Sequence, residues 1–256
     1  MTVSKPHLGA NDPARRHVLA GGAALMFSTL GASVLPNVAA AKSESKMIPK
    51  AFVYTEVQLS APFDQVPWDR LNKAIQNQPG FMNKTWFSGV GNGSVGGFYS
   101  FDSIENAQHF VTDYFPSEAA GFGTGHTTRV FDASKTQEAS LDMGAPHYGA
   151  AAHAKPGAYV YTEVQVNVPF ENAPWRDRNP VLRAQKGLLS KVWLSGLHTN
   201  TLGGVDAFDT IENAKAFAVD TFPETGRALN ASVYTRIFDA AVVETASRHM
   251  NSPYYS

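Results

Sequence analysis

The sequence predicts an α+β protein in which one βαββαβ unit is written twice, and three observations carry that prediction. Segments recur at a constant offset of 107 positions: Val53–Gln58 returns as Val160–Gln165, Ile104–Ala107 as Ile211–Ala214, and Thr128-Arg129 as Thr235-Arg236. Inside each copy, runs of period-two alternation are separated by stretches of helical periodicity. The composition, 43% hydrophobic and 17% charged over 256 residues, suffices for a buried core and excludes a disordered chain. A repeat this long is no solenoid unit. It marks two homologous domains, 42–150 and 151–256, joined near Ala150–Gly157 by an Ala/Gly-rich segment.

Before the repeats, Asp12–Leu19 reads DPARRHVL, a weakly apolar Gly/Ala-rich stretch runs from Val18 to Leu35, and Ala39-Ala40-Ala41 offers a small-residue cleavage site. This resembles a bacterial twin-arginine signal peptide over residues 1–41, with an anchoring membrane helix as the alternative. The expected location is periplasmic or secreted, with membrane contact only through the export signal.

Each element of the repeat has its own justification. Val53–Leu59 alternates and is rich in β-formers, so it is read as a strand. Phe63 and Trp68 lead into a helix that ends before Gly80; in the second copy, Asn179 and Pro180 suggest an N-cap and first helical position. Lys84–Ser88 and Gly97–Phe101 are strands flanking the Gly-rich turn GVGNGSVGG. Asp102-x-x-Glu105 and Asp209-x-x-Glu212 read as capping boxes. They open a helix with an apolar face of Ile104, Ala107, Phe110, Val111 and Tyr114, which Pro116 should close. Thr127–Asp132 is the fourth strand. The resulting order is that of the ferredoxin-like split βαβ unit.

Several chemistries are excluded. A formal net charge of −1 gives no support for nucleic-acid binding, and the absence of cysteine removes disulfides, thiolate metal sites and a Cys nucleophile. No HExxH, GxSxG, Rossmann or flavin fingerprint is present, and the turn GVGNGSVGG joins two strands and lacks the P-loop lysine. None of the histidines downstream of residue 41 is shared between the copies; His126 could still serve one half as a base. No metal and no cofactor is implied.

A polar and aromatic stripe remains. Tyr54, Glu56 and Gln58 alternate onto one strand face, Lys84, Trp86 and Ser88 onto one face of the next, and Arg129 with Phe131 onto one face of the last. All eight keep their identity in the second copy, as Tyr161, Glu163, Gln165, Lys191, Trp193, Ser195, Arg236 and Phe238. Two readings follow. The stripe is the wall of a pocket for a small aromatic or apolar molecule, with a base and anion-stabilising donors, or it is a sheet-to-sheet seam carrying an ion network.

The segments PGFMNKTWFSG, GGFYSFDSIENAQHF and TRVFDAS resemble the YdhR-like monooxygenase group of the dimeric α+β barrel superfamily. In that superfamily two ferredoxin-like subunits pack sheet to sheet, so the resemblance implies an intramolecular dimeric α+β barrel, a pseudo-dimer within one chain. It also implies a cofactor-independent monooxygenase acting on a phenol, quinol or anthrone-like carbon acid. On that reading Glu56 or Glu163 is the base, and Lys84 and Arg129, or Lys191 and Arg236, stabilise the anion. Trp86 and Trp193 stack on the substrate, while Tyr54, Tyr99 and Tyr161 orient it. The second copy departs at Lys186-Gly187-Leu188, in place of PGF, and at Val205-Asp206-Ala207, in place of Phe98-Tyr99-Ser100, so the first copy is the favoured site. The alternatives are a non-catalytic periplasmic binder of a small apolar ligand and a structural or interaction protein.

Overall fold

Residues 47–256, other than residue 153, are described by the computed structural model. The expected export signal lies outside the described residues. The β-branched and aromatic runs form β1 (Ala51–Val57), β2 (Phe81–Ser88), β3 (Val95–Phe101) and β4 (His126–Asp132), an antiparallel sheet ordered β2-β3-β1-β4. The second half repeats this with β5 (Ala158–Val164), β6 (Leu188–Ser195), β7 (Leu202–Phe208) and β8 (Val233–Asp239), ordered β6-β7-β5-β8. Two ferredoxin-like α+β units result.

Their helices are α1 (Trp68–Gln76), α2 (Ile104–His109), α3 (Phe115–Ala120) and α4 (Ala133–Asp142), then α5 (Trp175–Arg183), α6 (Ile211–Lys215), α7 (Phe222–Leu229) and α8 (Glu244–Arg248). Three local expectations are corrected. Pro180 lies inside α5 rather than at its start. The helix loses one backbone hydrogen bond there, but buried Asn179 beside it fixes the segment by donating to the Ala139 carbonyl and to Asp142. The cap of α2 is Ser103, whose hydroxyl accepts from the Asn106 N–H, while Asp102 receives the Asn106 side chain instead. Pro116 opens α3 rather than closing α2, because a π-turn over Phe110–Tyr114 carries the helix onward and leaves the proline in a first turn, where no N–H is needed.

The inner faces of the two sheets meet in one apolar layer that includes Phe52, Tyr54, Phe87 and Phe98 from the first half and Tyr159, Tyr161, Leu194 and Phe238 from the second. Tyr54 stacks on Tyr161 with ring centres 4.0 Å apart, and Phe87 on Phe238 at 4.4 Å. All four rings are buried, each contributing roughly 1.5–3 kcal/mol relative to exposure. Bridges Gly89–Phe238 and Phe131–Gly196 join the sheet edges, assisted by Val90 N–H to Ile237 O and Leu197 N–H to Val130 O, both 2.9 Å. The two sheets thus close into a barrel.

The helices that end each half cross over. α4 lies on β6, where the Ser140 hydroxyl accepts the Trp193 N–H at 2.9 Å and the Met143 carbonyl accepts the Lys191 N–H. α8 mirrors this on β2, through Ser247 to the Trp86 N–H at 3.0 Å and Met250 to the Lys84 N–H. Each half therefore covers part of the other's outer face.

Candidate functional site

Strand register decides which predicted side chains meet. Tyr54 pairs with Phe98 and Arg129, whereas Lys84 pairs with Tyr99, and Tyr99 with Val53. Tyr54 and Glu56 therefore face the barrel interior with Arg129, and Lys84, Trp86 and Tyr99 face the helices on the other side of the same sheet. The second half divides identically, with Tyr161, Glu163 and Arg236 inside and Lys191 and Trp193 outside. The single stripe expected from alternation is two separate sets. Alternation fixes the faces within one strand but not the phase between strands, and an irregularity between Phe81 and Asn83 in β2 adds to the offset.

The inner set forms ion pairs between the halves. Arg236 grips Glu56 through Nε, at 3.0 and 3.1 Å, and through Nη2; the Tyr54 hydroxyl donates to the same carboxylate at 2.7 Å. Burial works to raise the Glu56 carboxyl, but hydrogen bonds led by that from Arg236 outweigh it and hold the group below the usual carboxylate range. On the other side, Glu163 accepts from the Tyr161 hydroxyl at 2.6 Å and from Gln165, with Arg129 Nε 3.5 Å away. Tyr54 and Tyr161 are fully buried, and burial pushes both phenols well up. His126 is exposed at the start of β4 and meets Phe115 edge-on.

The outer set sits between sheet and helices. Each tryptophan is fixed by an asparagine whose role sequence reasoning missed, Asn179 being expected only as a helix cap: Trp86 Nε1–H donates to Asn72 and Trp193 Nε1–H to Asn179, both at 2.8 Å. The signal was available, because Asn72 and Asn179 occupy equivalent positions. Each lysine lies against its tryptophan, and a glycine makes room for it. A Cβ on Gly97 would stand 2.5 Å from the Lys84 Cε, and one on Gly204 would collide with the Lys191 ammonium.

Beyond this point the halves differ. Lys84 is 1% exposed, makes no ion pair among the described residues, and rests 2.9 Å from the centre of Trp86 and 4.7 Å from that of Tyr99. Burial pushes its amine well below the ordinary lysine range against the distant pull of Glu118. Lys191, 3% exposed, is held by Asp206 at 2.9 and 3.1 Å. Burial raises the Asp206 carboxyl despite this partner. Asp206 stands where the first half has Tyr99.

The space available differs as well. The first half keeps only about 10 Å³ between sheet and helices, and the second about 670 Å³. Tyr99, Tyr114 and Phe122 fill the first half, with Phe110 packed between the two tyrosines; Asp206, Thr221 and Leu229 replace them in the second. The resulting cavity has walls of Trp175, Leu182, Trp193, Phe217 and Phe222, with buried Lys191 and Thr162 on the sheet side and more exposed polar groups, Arg178 and Glu224 among them, elsewhere in the lining. An apolar chamber with one buried cation is the form a small-molecule site takes. It lies in the second copy, not in the favoured first.

Among the described residues, no group of three or more His, Asp or Glu could hold a metal ion, and no helix is long and apolar enough to cross a membrane.

The architecture is that of the dimeric α+β barrels. It is similar to a solved anthrone oxidase-like protein, with 16% identity and a TM-score of 0.50 over 77% of this chain and 92% of that one. A structure described as a "putative monooxygenase" from Lactobacillus acidophilus is also similar, at 8% identity and a TM-score of 0.42, over 74% of this chain and 93% of that one. Residues 55–142, in the first half, match the family model described as "Putative mono-oxygenase ydhR". No curated protein sequence matches the chain.

Proposed function

We propose that the second-half cavity binds a small electron-rich aromatic molecule, a phenol, quinol or anthrone-like carbon acid, and that the chain oxidises it with dioxygen without a cofactor. The observation that carries this reading is the apolar chamber of about 670 Å³ with the Lys191 ammonium, braced by Asp206, at its wall. Phenolate or enolate oxygen is the natural partner of that cation, and at an ammonium only 3% exposed the attraction is screened less than in solution. Trp193, fixed by Asn179, offers the ring a rigid face.

For a carbon acid the reaction balances as R₂CH₂ + O₂ → R₂C=O + H₂O, with all four electrons supplied by the substrate. Loss of a C–H proton gives the enolate, which Lys191 stabilises, and its carbon forms a C–O bond with dioxygen. The resulting peroxide takes up a proton; loss of the remaining C–H proton with O–O cleavage then releases water and leaves the carbonyl. The chain's part is to hold the anion and orient its ring. Glu56 and Glu163, the bases expected from sequence, lie across the sheet from this chamber, so on this reading solvent water or hydroxide at the chamber's open side accepts the first proton.

A second reading is a non-catalytic binder of the same class of ligand. It is favoured by the lining itself: among the described residues the only carboxylate there is Glu224, which is paired with Arg227. Oxygen consumption with anthrone and 1-naphthol, measured beside equilibrium binding of the same compounds, separates the two. Binding with uptake supports the oxygenase, and binding without uptake supports the binder. Absence of any binding removes both.

Export to the periplasm is part of the same proposal and rests on Arg15 and Arg16. A variant with both replaced by Lys should accumulate as cytoplasmic precursor; normal export would rule out the twin-arginine route.

A further inference from the structure

The two inner ion pairs occupy equivalent places, yet only one is closed. Arg236 is gripped by Glu56, reaches Ser94, and leaves 24% of its side chain exposed. Tyr234 seals that end, its hydroxyl donating to Glu56 at 3.3 Å and its ring meeting Tyr161 edge-on. At the other end the residue equivalent to Tyr234 is Thr127, too short to reach Glu163. Arg129 there has 47% of its side chain exposed, stands 3.5 Å from Glu163, and spends one Nη donor on the carbonyl of neighbouring Thr128. Glu163 is already satisfied by Tyr161 and Gln165.

Beside this uncapped carboxylate, a groove of about 700 Å³ runs along the seam between β4 and the β6–β7 turn, with Glu163 and Arg129 in its lining. Val111, Val130, Val166 and Leu197 give its lining apolar surface, and Arg129 is its cation beside Glu163, Gln108 and His198. It adjoins the chamber described above at Val166, which lines both, but Lys191 and Trp193 line only the chamber.

We infer that this groove is a second ligand site, for a small monocarboxylate with an apolar body, whose carboxylate takes the guanidinium donors of Arg129 that Glu163 and the Thr128 carbonyl leave free. Three features select that class. The closed end supplies the template, a planar carboxylate gripping the guanidinium through two nitrogens. The apolar lining requires a hydrocarbon body. Glu163, close beside Arg129, repels a dianion such as phosphate more than a single carboxylate.

The test is titration of benzoate and hexanoate into the isotope-labelled chain at neutral pH, followed by NMR at two sets of reporters. The Arg129 Nε–H and the Gly196 and Leu197 amides report the groove, and the Trp193 indole N–H reports the chamber. Saturable shifts at the groove reporters are expected. Arg129→Gln should weaken them by roughly tenfold or more. Thr127→Tyr, which restores the missing ring without touching the arginine, should abolish them. Shifts confined to Trp193, equal binding by all three proteins, equal competition from inorganic phosphate, or no saturable shift would each overturn the assignment. Because the chamber has its own reporter, failure here and failure of the oxygenase or binder reading are separately visible.

Discussion

The chambers between sheet and helices in the two halves share their frame and differ in their filling. Both have the lysine against a tryptophan, the asparagine that fixes the indole, and the glycine that admits the lysine stem. In the first half Tyr99 and Tyr114 occupy the space a ligand would take; in the second, aspartate and threonine stand in their places and the space is open. The comparison teaches that the shared residues build the frame and the changed residues make the site. Asp206 is a double change, because it removes a ring and supplies the counter-charge that its lysine needs.

The comparison can be broken first at that counter-charge. Lys191→Met leaves Asp206 buried without its cation and should cost about 3–5 kcal/mol in urea unfolding, together with ligand binding. Lys84→Met in the other half strands no carboxylate and should change stability by about 1 kcal/mol or less, in the stabilising direction. Comparable losses from both would show that the halves are electrostatically alike.

The steric difference is tested by exchanging residues. Asp206→Tyr with Thr221→Tyr should close the open chamber and abolish 1-naphthol binding, measured by calorimetry. Tyr99→Asp with Tyr114→Thr should open the closed chamber and raise the stoichiometry from one ligand per chain to two. Unchanged stoichiometry in both double variants would mean that these side chains do not control access.

A smaller effect sharpens the contrast between inner and outer sets. Glu56 is held below its ordinary value near 4.5, so its ionised form adds stability above that pH, and the gain is lost as pH falls through the folded value. Asp206 is raised, so its contribution has the opposite sign: it is full below the ordinary aspartate range and is lost as pH rises through the folded value. In chemical unfolding across pH 3–7, about the range of these groups, Glu56→Gln should flatten the acid-side loss of stability. Asp206→Asn should instead remove a decline toward neutral pH. Identical profiles for both variants would contradict the assigned directions.

Much of the fold could be read from the sequence because repetition reinforces alternation: Val53 to Gln58 and its copy mark the same strand twice. The phase between strands could not. Whether Lys84 joins Tyr54 or Tyr99 depends on hydrogen-bond register across β3, which no single strand encodes. The crossed helices were missed for a related reason. The segments after Asp132 and Asp239 have weak helical periodicity of their own, and it is Ser140 and Ser247, bonded to the opposite half's tryptophan backbone, that anchor them. Attention to retained residues found Lys191 and Trp193 but not the larger cavity beside them, because that cavity is made by positions that changed.

The crossing of α4 and α8 also sets a timetable. The first sheet is complete once Asp132 has been made, yet the helix that covers its β2 edge, and the carbonyl that receives the Lys84 N–H, come from residues beyond Val243. For the whole interval in which the second half is being synthesised, the first half waits with that edge bare. The last dozen residues therefore act as a latch for the part of the chain made earliest, and a premature stop near the end would harm the first sheet more than the second.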